Sequence, residues 1–198
     1  MSKQFFRIHP IMIPFLLFFL LEGEIAFYAI IFGSLIFHEL GHLFGAKLVG
    51  GKVRKCTILP YGGEIQIEQF SKWKKGDQLI VILGGPFFTV LILLISLWAS
   101  FPQSELVTYT QLAILTINLL PIYPLDGGRL LSALFPAWYI EIISFSILVS
   151  FLFFYVSLFH FPKALFLSIL FFYILLQNLN FWRYRRYKLA FDRLTKST

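Results

Sequence analysis

The chain alternates between long apolar runs and short polar breaks. Ile11–Leu21, Ile25–Ala46, Gln78–Phe101, Val107–Tyr123, Tyr139–Phe159 and Ala164–Trp182 carry few charges. A helix needs about 20 residues to cross a bilayer, so the last five runs qualify by length. The first contains Pro14 and qualifies only if Phe5 and Phe6 extend it past Arg7, or as a short tilted helix. It exits through Glu22-Gly23-Glu24, unlike a signal-peptide cleavage site, and is read as a retained span. The pattern predicts an all-α polytopic membrane protein with six transmembrane helices: one six-span domain over residues 1–182, then a basic cytoplasmic tail at 183–198. Between the second and third runs the period shortens to two, with Glu64, Gln66 and Glu68 alternating with Ile65 and Ile67. Lys52–Ile58 and Gly63–Gln69 are therefore predicted to form a small cytoplasmic β-hairpin or re-entrant loop around Pro60-Tyr61-Gly62-Gly63.

Composition excludes the alternatives to a membrane protein. Of 198 residues, 58% are hydrophobic and 14% charged, against about 25% charged in an average soluble domain. Intrinsic disorder fails on the same count. A net charge of +7 would suit nucleic acid, but 16 of the 17 Lys and Arg residues fall on one face of the six-span layout, Lys163 being the exception. That asymmetry predicts cytoplasmic termini and a cytoplasmic 47–75 loop. The tail's Arg and Lys, mixed with Trp182, Tyr184 and Tyr187, read as an anchor on anionic lipid, and no nucleic-acid motif accompanies them. The single cysteine, Cys56, rules out an internal disulfide and a Cys-rich zinc site.

Ionisable residues interrupt the second run. Ile31–Gly50 reads IFGSLIFHELGHLFGAKLVG, placing His38, Glu39 and His42 in an apolar helix. Residues four apart share a helix face, so both imidazoles can grip one ion and Glu39 can reach a water on it. Chance gives HExxH in about 0.3% of chains with this His and Glu content, and ionisable groups inside a span are too costly to be idle. Zinc suits imidazole and carboxylate ligands and leaves a position for water, whose pKa falls to about 7, with Glu39 as general base. A third ligand is required. Asp126 stands in NLLPIYPLDGGRL, behind Pro121 and Pro124 and ahead of Gly127-Gly128, where irregular backbone at membrane depth implies a buried or cavity-lining segment. A plain N-cap is the alternative role for Asp126. Glu64 and Glu68 read as the polar face of a strand, and Glu141 as interfacial. At 1.5 Å per residue Glu39 lies about 12 Å from Lys47. Asp126, only three residues before Arg129, reaches that depth if the proline segment bends back or the fourth span starts late, near Gln111. Gly84-Gly85-Pro86 lies at a similar depth and reads as helix packing.

HELGH paired with NLLPIYPLDGG in another run resembles the site-2 protease family of intramembrane zinc metalloproteases. ILPYGGEIQIE, the GGP of the third run and the six-span layout resemble most closely its stage IV sporulation protein FB branch. The resemblance implies that His38, His42 and Asp126 bind Zn2+, that Glu39 is the general base, and that Asn118 lies beside the substrate and steadies the oxyanion. Helix–helix hydrogen bonding is the alternative for Asn118. It further implies a membrane-associated substrate, a sigma-factor precursor, with inhibitory membrane partners, in the bacterial inner membrane or the mother-cell membrane around the forespore. The nucleotide-sensing CBS domain that typifies this branch does not follow the last run. A divalent-metal transporter using the same His and Asp residues is the rival from another class; it would require several ligand stations along a pore, whereas His9 and His160 sit at opposite ends with no chain of ligands between them.

Overall fold

The computed structural model describes residues 6–8, 25–59, 62–99, 101–161 and 164–196, with isolated positions between 10 and 20. The order of elements is β1 (Phe6–Ile8), α1 (Ile25–Leu48), β2 (Val53–Leu59), β3 (Gly62–Ile67), α2 (Lys75–Trp98), α3 (Ser104–Asn118), α4 (Asp126–Leu134), α5 (Tyr139–Leu158) and α6 (Leu165–Lys196). The chain divides into two compact units, Met1–Leu119 and Leu120–Thr198.

Among the described residues, Ala26–Leu48, Lys75–Trp98 and Pro136–Leu158 are long and apolar enough to cross a bilayer. Three of the six expected spans therefore have a counterpart that meets the criterion among the described residues. The first apolar run falls largely outside the described residues, and Phe6 lies in a strand rather than extending a helix. The fourth run is helical only over the 15 residues Ser104–Asn118, too short to span by itself. Pro121 and Pro124 explain the early stop, since each lacks an N–H and disfavours helix in the residue before it. The last run is helical from Leu165 through the basic segment to Lys196.

Packing is inverted relative to a water-soluble protein. On α1 the exposed stripe is Phe37, Leu40, Phe44 and Leu48, while Ser34, His38, Glu39 and His42 are buried. On α2 the exposed residues include Leu91, Leu94 and Trp98, while Thr89 and Ser96 are buried. Apolar side chains outward and small or polar ones inward suit a hydrocarbon surround, where helices associate through close contact and hydrogen bonds.

In the first unit, α1 and α2 run antiparallel with their backbones touching. A Cβ on Gly41 would stand 2.2 Å from the Gly84 carbonyl oxygen, and one on Gly45 would stand 2.7 Å from that of Ile80. Gly41 and Gly45 are four apart, the small-xxx-small spacing that lets helices approach this closely. Helix α3 follows α2 and runs parallel to α1, tied by Ser96–Thr108 (2.9 Å) and by Gln111 Nε2 donating to Ser34 Oγ (2.7 Å).

The expected hairpin is present: β2 and β3 pair antiparallel from Val53–Ile67 to Leu59–Gly62. Pro60 and Tyr61, at its expected turn, lie outside the described residues. An exposed Arg54–Glu68 pair (2.7 Å) joins its open end, and an ion pair so exposed adds little stability. Strand β1 was not expected. It pairs parallel to β2, Phe6 opposite Cys56, so β2 is central and β3 an edge.

In the second unit α5 and α6 pack together through stacked Phe153–Phe171 (4.8 Å) and Ser157–Ser168 (2.7 Å). Arg185 lies 3.9 Å over the Trp182 ring and donates to the Trp182 carbonyl, binding the start of the basic segment to its own helix.

Candidate metal centre

His38, Glu39 and His42 are each less than a tenth exposed, and one ligand atom from each lies within 4.8 Å of the others. The arrangement follows from the sequence spacing, as four residues of α-helix stack one imidazole above the other. Their ring planes are nearly perpendicular, 82° apart.

The hydrogen bonds orient the rings. His42 Nδ1 lies 2.8 Å from the Val81 carbonyl oxygen, which only accepts, so Nδ1 carries a proton. The Gly85 amide also lies 3.3 Å from that nitrogen, but the shorter contact decides. Thr89 Oγ1 lies 2.8 Å from His38 Nδ1 and 3.2 Å from the Gly85 carbonyl oxygen, so its hydroxyl ties this ring to α2. The two Nε2 atoms face each other at 3.2 Å. Two Nε2 atoms turned toward one point, with both other ring nitrogens bonded to α2, form the donor set of a cation site. Imidazole nitrogens beside a carboxylate fit zinc.

Residues of α2 complete this geometry. A Cβ on Gly85 would sit 2.3 Å from His42 Nε2 and 2.7 Å from His38 Nε2, so only glycine leaves the donor atoms their space. Sequence reasoning assigned Gly84-Gly85-Pro86 to packing alone, and it missed Thr89. The signal available for Thr89 was one of two hydroxyls, with Ser96, in the apolar stretch of α2, which says nothing about its partner. Thr89→Val keeps the shape, removes the hydroxyl bonded to His38 Nδ1, and is expected to lower zinc affinity about 10- to 100-fold, read by chelator competition.

Asn118, the last residue of α3, is buried and donates from Nδ2 to the Ile114 carbonyl (3.0 Å), the local bond of the bland alternative. Helix α3 begins at Ser104. Asp126 is the first residue of α4, 4% exposed, in the second unit. Among the carboxylates set aside, Glu68 pairs with Arg54 and Glu141 is exposed at the start of α5.

Cys56, on the central strand, is fully buried. Burial, and secondarily the negative charge of Glu39, pushes its thiol up to about 11, which places this strand within electrostatic reach of the site. Because the folded-state value lies above the ordinary 9.0, the stability linked to this thiol is complete below pH 9 and is lost between 9 and 11. At pH 8 iodoacetamide is expected to leave the folded protein unlabelled and to label it after denaturation in SDS.

Comparison with known proteins agrees with this geometry. Residues 26–107 match the model of peptidase family M50. Stage IV sporulation protein FB of Bacillus subtilis is 32% identical over 136 residues, 65% of this chain and 47% of the relative. Zinc metalloprotease MJ0392 of Methanocaldococcus jannaschii is 31% identical over 116 residues, 54% of this chain and 33% of the relative. The chain thus spans at most about half the length of the curated relatives it matches. The solved site-2 protease from Methanocaldococcus jannaschii has the same fold, with a TM-score of 0.68 over 88% of this chain and 89% of that one at 21% identity. On these matches residues 26–107 resemble the domain of peptidase family M50, and the chain has the fold of a solved site-2 protease.

Proposed function

We infer that this protein is an intramembrane zinc metalloprotease that hydrolyses a peptide bond of a membrane-associated substrate near the cytoplasmic leaflet. The observation that carries this reading is the pair of His38 and His42 Nε2 atoms, 3.2 Å apart, with buried Glu39 beside them. His38 and His42 would hold the ion, with Asp126 as the proposed third ligand supplying the carboxylate that the two imidazoles lack. Zinc bound there contributes Lewis acidity, polarising the scissile carbonyl and acidifying a water. Glu39 accepts the proton of the attacking water and returns it to the leaving amine. Asn118, buried at the end of α3, would donate a hydrogen bond to the oxyanion that develops on the carbonyl oxygen.

A helical substrate hides its carbonyls in its own hydrogen bonds, so it must be extended to react. Edge strand β3 offers a place to hold it, by accepting one more strand. The sporulation protein among the relatives supports a narrower reading, in which the substrate is a sigma-factor precursor cut during sporulation.

Co-expression with a panel of membrane-tethered precursors tests the function. Cleavage by the wild type and none by Glu39→Gln supports it. Zinc flux into liposomes without cleavage of any precursor would replace it with transport.

A further inference from the structure

The segment between α3 and α4, residues 119–125, has no regular secondary structure, yet Pro124, Leu125 and Asp126 are buried. Irregular backbone shielded from water must find partners for its polar groups in the protein. At Tyr123 both partners are side chains. Its amide donates to Ser146 Oγ on α5 (2.9 Å), and its carbonyl oxygen accepts from Asn178 Nδ2 on α6. The same two helices hold its ring edge-on, Tyr139 of α5 at 6.2 Å and Phe181 of α6 at 4.9 Å.

This grip reaches Asp126 through one contact. The first turn of α4 lies directly on the gripped peptide: a Cβ on Gly128 would stand 2.3 Å from Tyr123 N and 2.4 Å from the Ile122 carbonyl carbon. Where Tyr123 is fixed, the start of α4 is fixed with it. Asn178 and Ser146 are both fully buried. Each also bonds within its own helix, Asn178 Nδ2 to the Ile174 carbonyl and Ser146 Oγ to that of Ile142. Those local bonds would exist without any loop. Asn178 Oδ1 is buried with no hydrogen-bond partner, an uncompensated cost that helix packing alone does not explain. The amide is retained for its donors, one of which reaches a residue 55 positions away.

We propose that Ser146 and Asn178 are positioning residues for Asp126: by clamping the Tyr123 backbone they set where the carboxylate at the head of α4 is presented. The proposal rests on the reading of Asp126 as a zinc ligand and adds to it that α5 and α6 govern the quality of the site.

The test uses the full chain in detergent, with zinc affinity measured by competition against a chromophoric chelator and coordination read from the visible spectrum after cobalt substitution. Asn178→Leu and Ser146→Ala are each expected to weaken zinc binding about 10- to 100-fold and to alter the cobalt bands, while Ser146→Thr, which keeps the hydroxyl, restores both. Neither variant should weaken binding further when Asp126→Ala is already present, because both act through that carboxylate. Wild-type affinity in folded Asn178→Leu and Ser146→Ala, or an equal loss in the Asp126→Ala background, overturns the clamp. If Asp126→Ala itself leaves affinity and spectrum unchanged, the ligand reading falls and the clamp with it. Should Asn178→Leu fail to fold, the Ser146 pair decides alone.

Discussion

Glu39→Gln is expected to retain zinc with wild-type affinity and to cleave a membrane-tethered substrate roughly 10²- to 10⁴-fold more slowly. The two halves of this expectation have separate causes. In the proposed site zinc would be held through the Nε2 atoms of His38 and His42, whose other ring nitrogens bond to Thr89 and to the Val81 carbonyl. Glutamine has the volume of glutamate, so it fits the same buried space, but its amide cannot accept a proton from water at neutral pH. Zinc content by elemental analysis, alongside gel-based cleavage of one substrate by both proteins, checks the two halves together. A variant that loses zinc would move Glu39 from proton transfer to metal binding, and one that cleaves normally would remove it from the chemistry.

Gly85→Ala is expected to reduce zinc affinity at least about a hundredfold in a protein that still folds. The added methyl would lie 2.3 Å from His42 Nε2 and 2.7 Å from His38 Nε2, well inside contact distance of both donor atoms. The rings cannot swing aside without surrendering the bonds to Thr89 and Val81 that orient them. Alanine is otherwise the better helix former, so α2 itself loses nothing. Gly84→Ala is the control that separates site from scaffold. Its methyl meets the Gly41 carbonyl oxygen at 2.3 Å, backbone against side chain, and it should lower the melting temperature where Gly85→Ala should not. Chelator competition and thermal unfolding in detergent distinguish the two. Equal zinc affinity in Gly85→Ala and wild type would show that the imidazoles have room the structure does not give them.

The parts of the centre legible in the sequence were those governed by local periodicity. Four-residue spacing put His38 and His42 on one face of α1, and a period of two put β3 where it lies. The prolines at 121 and 124 announced an interruption, although α3 stops at Asn118, ahead of both. Contacts between distant segments were not legible. Nothing local links Thr89 to His38, 51 residues earlier, or Asn178 to Tyr123, 55 residues earlier. Strand β1 shares this property: three residues, Phe-Arg-Ile, carry no alternation long enough to read, and only the exposed edge of β2 makes them a strand. Helix length and apolar length differ in α3, whose apolar run continues past the helix end.

The direct seating of α1 on α2 also bears on inhibition. With carbonyl oxygens of one helix where methyl groups of the other would have to be, that seam has no width for a foreign molecule, and the imidazole rings back onto it. A hydroxamate or other zinc-chelating warhead therefore cannot slip in between these two helices, and compounds elaborated in that direction would gain bulk without gaining potency. Useful chemical growth lies on the flank turned away from the glycines.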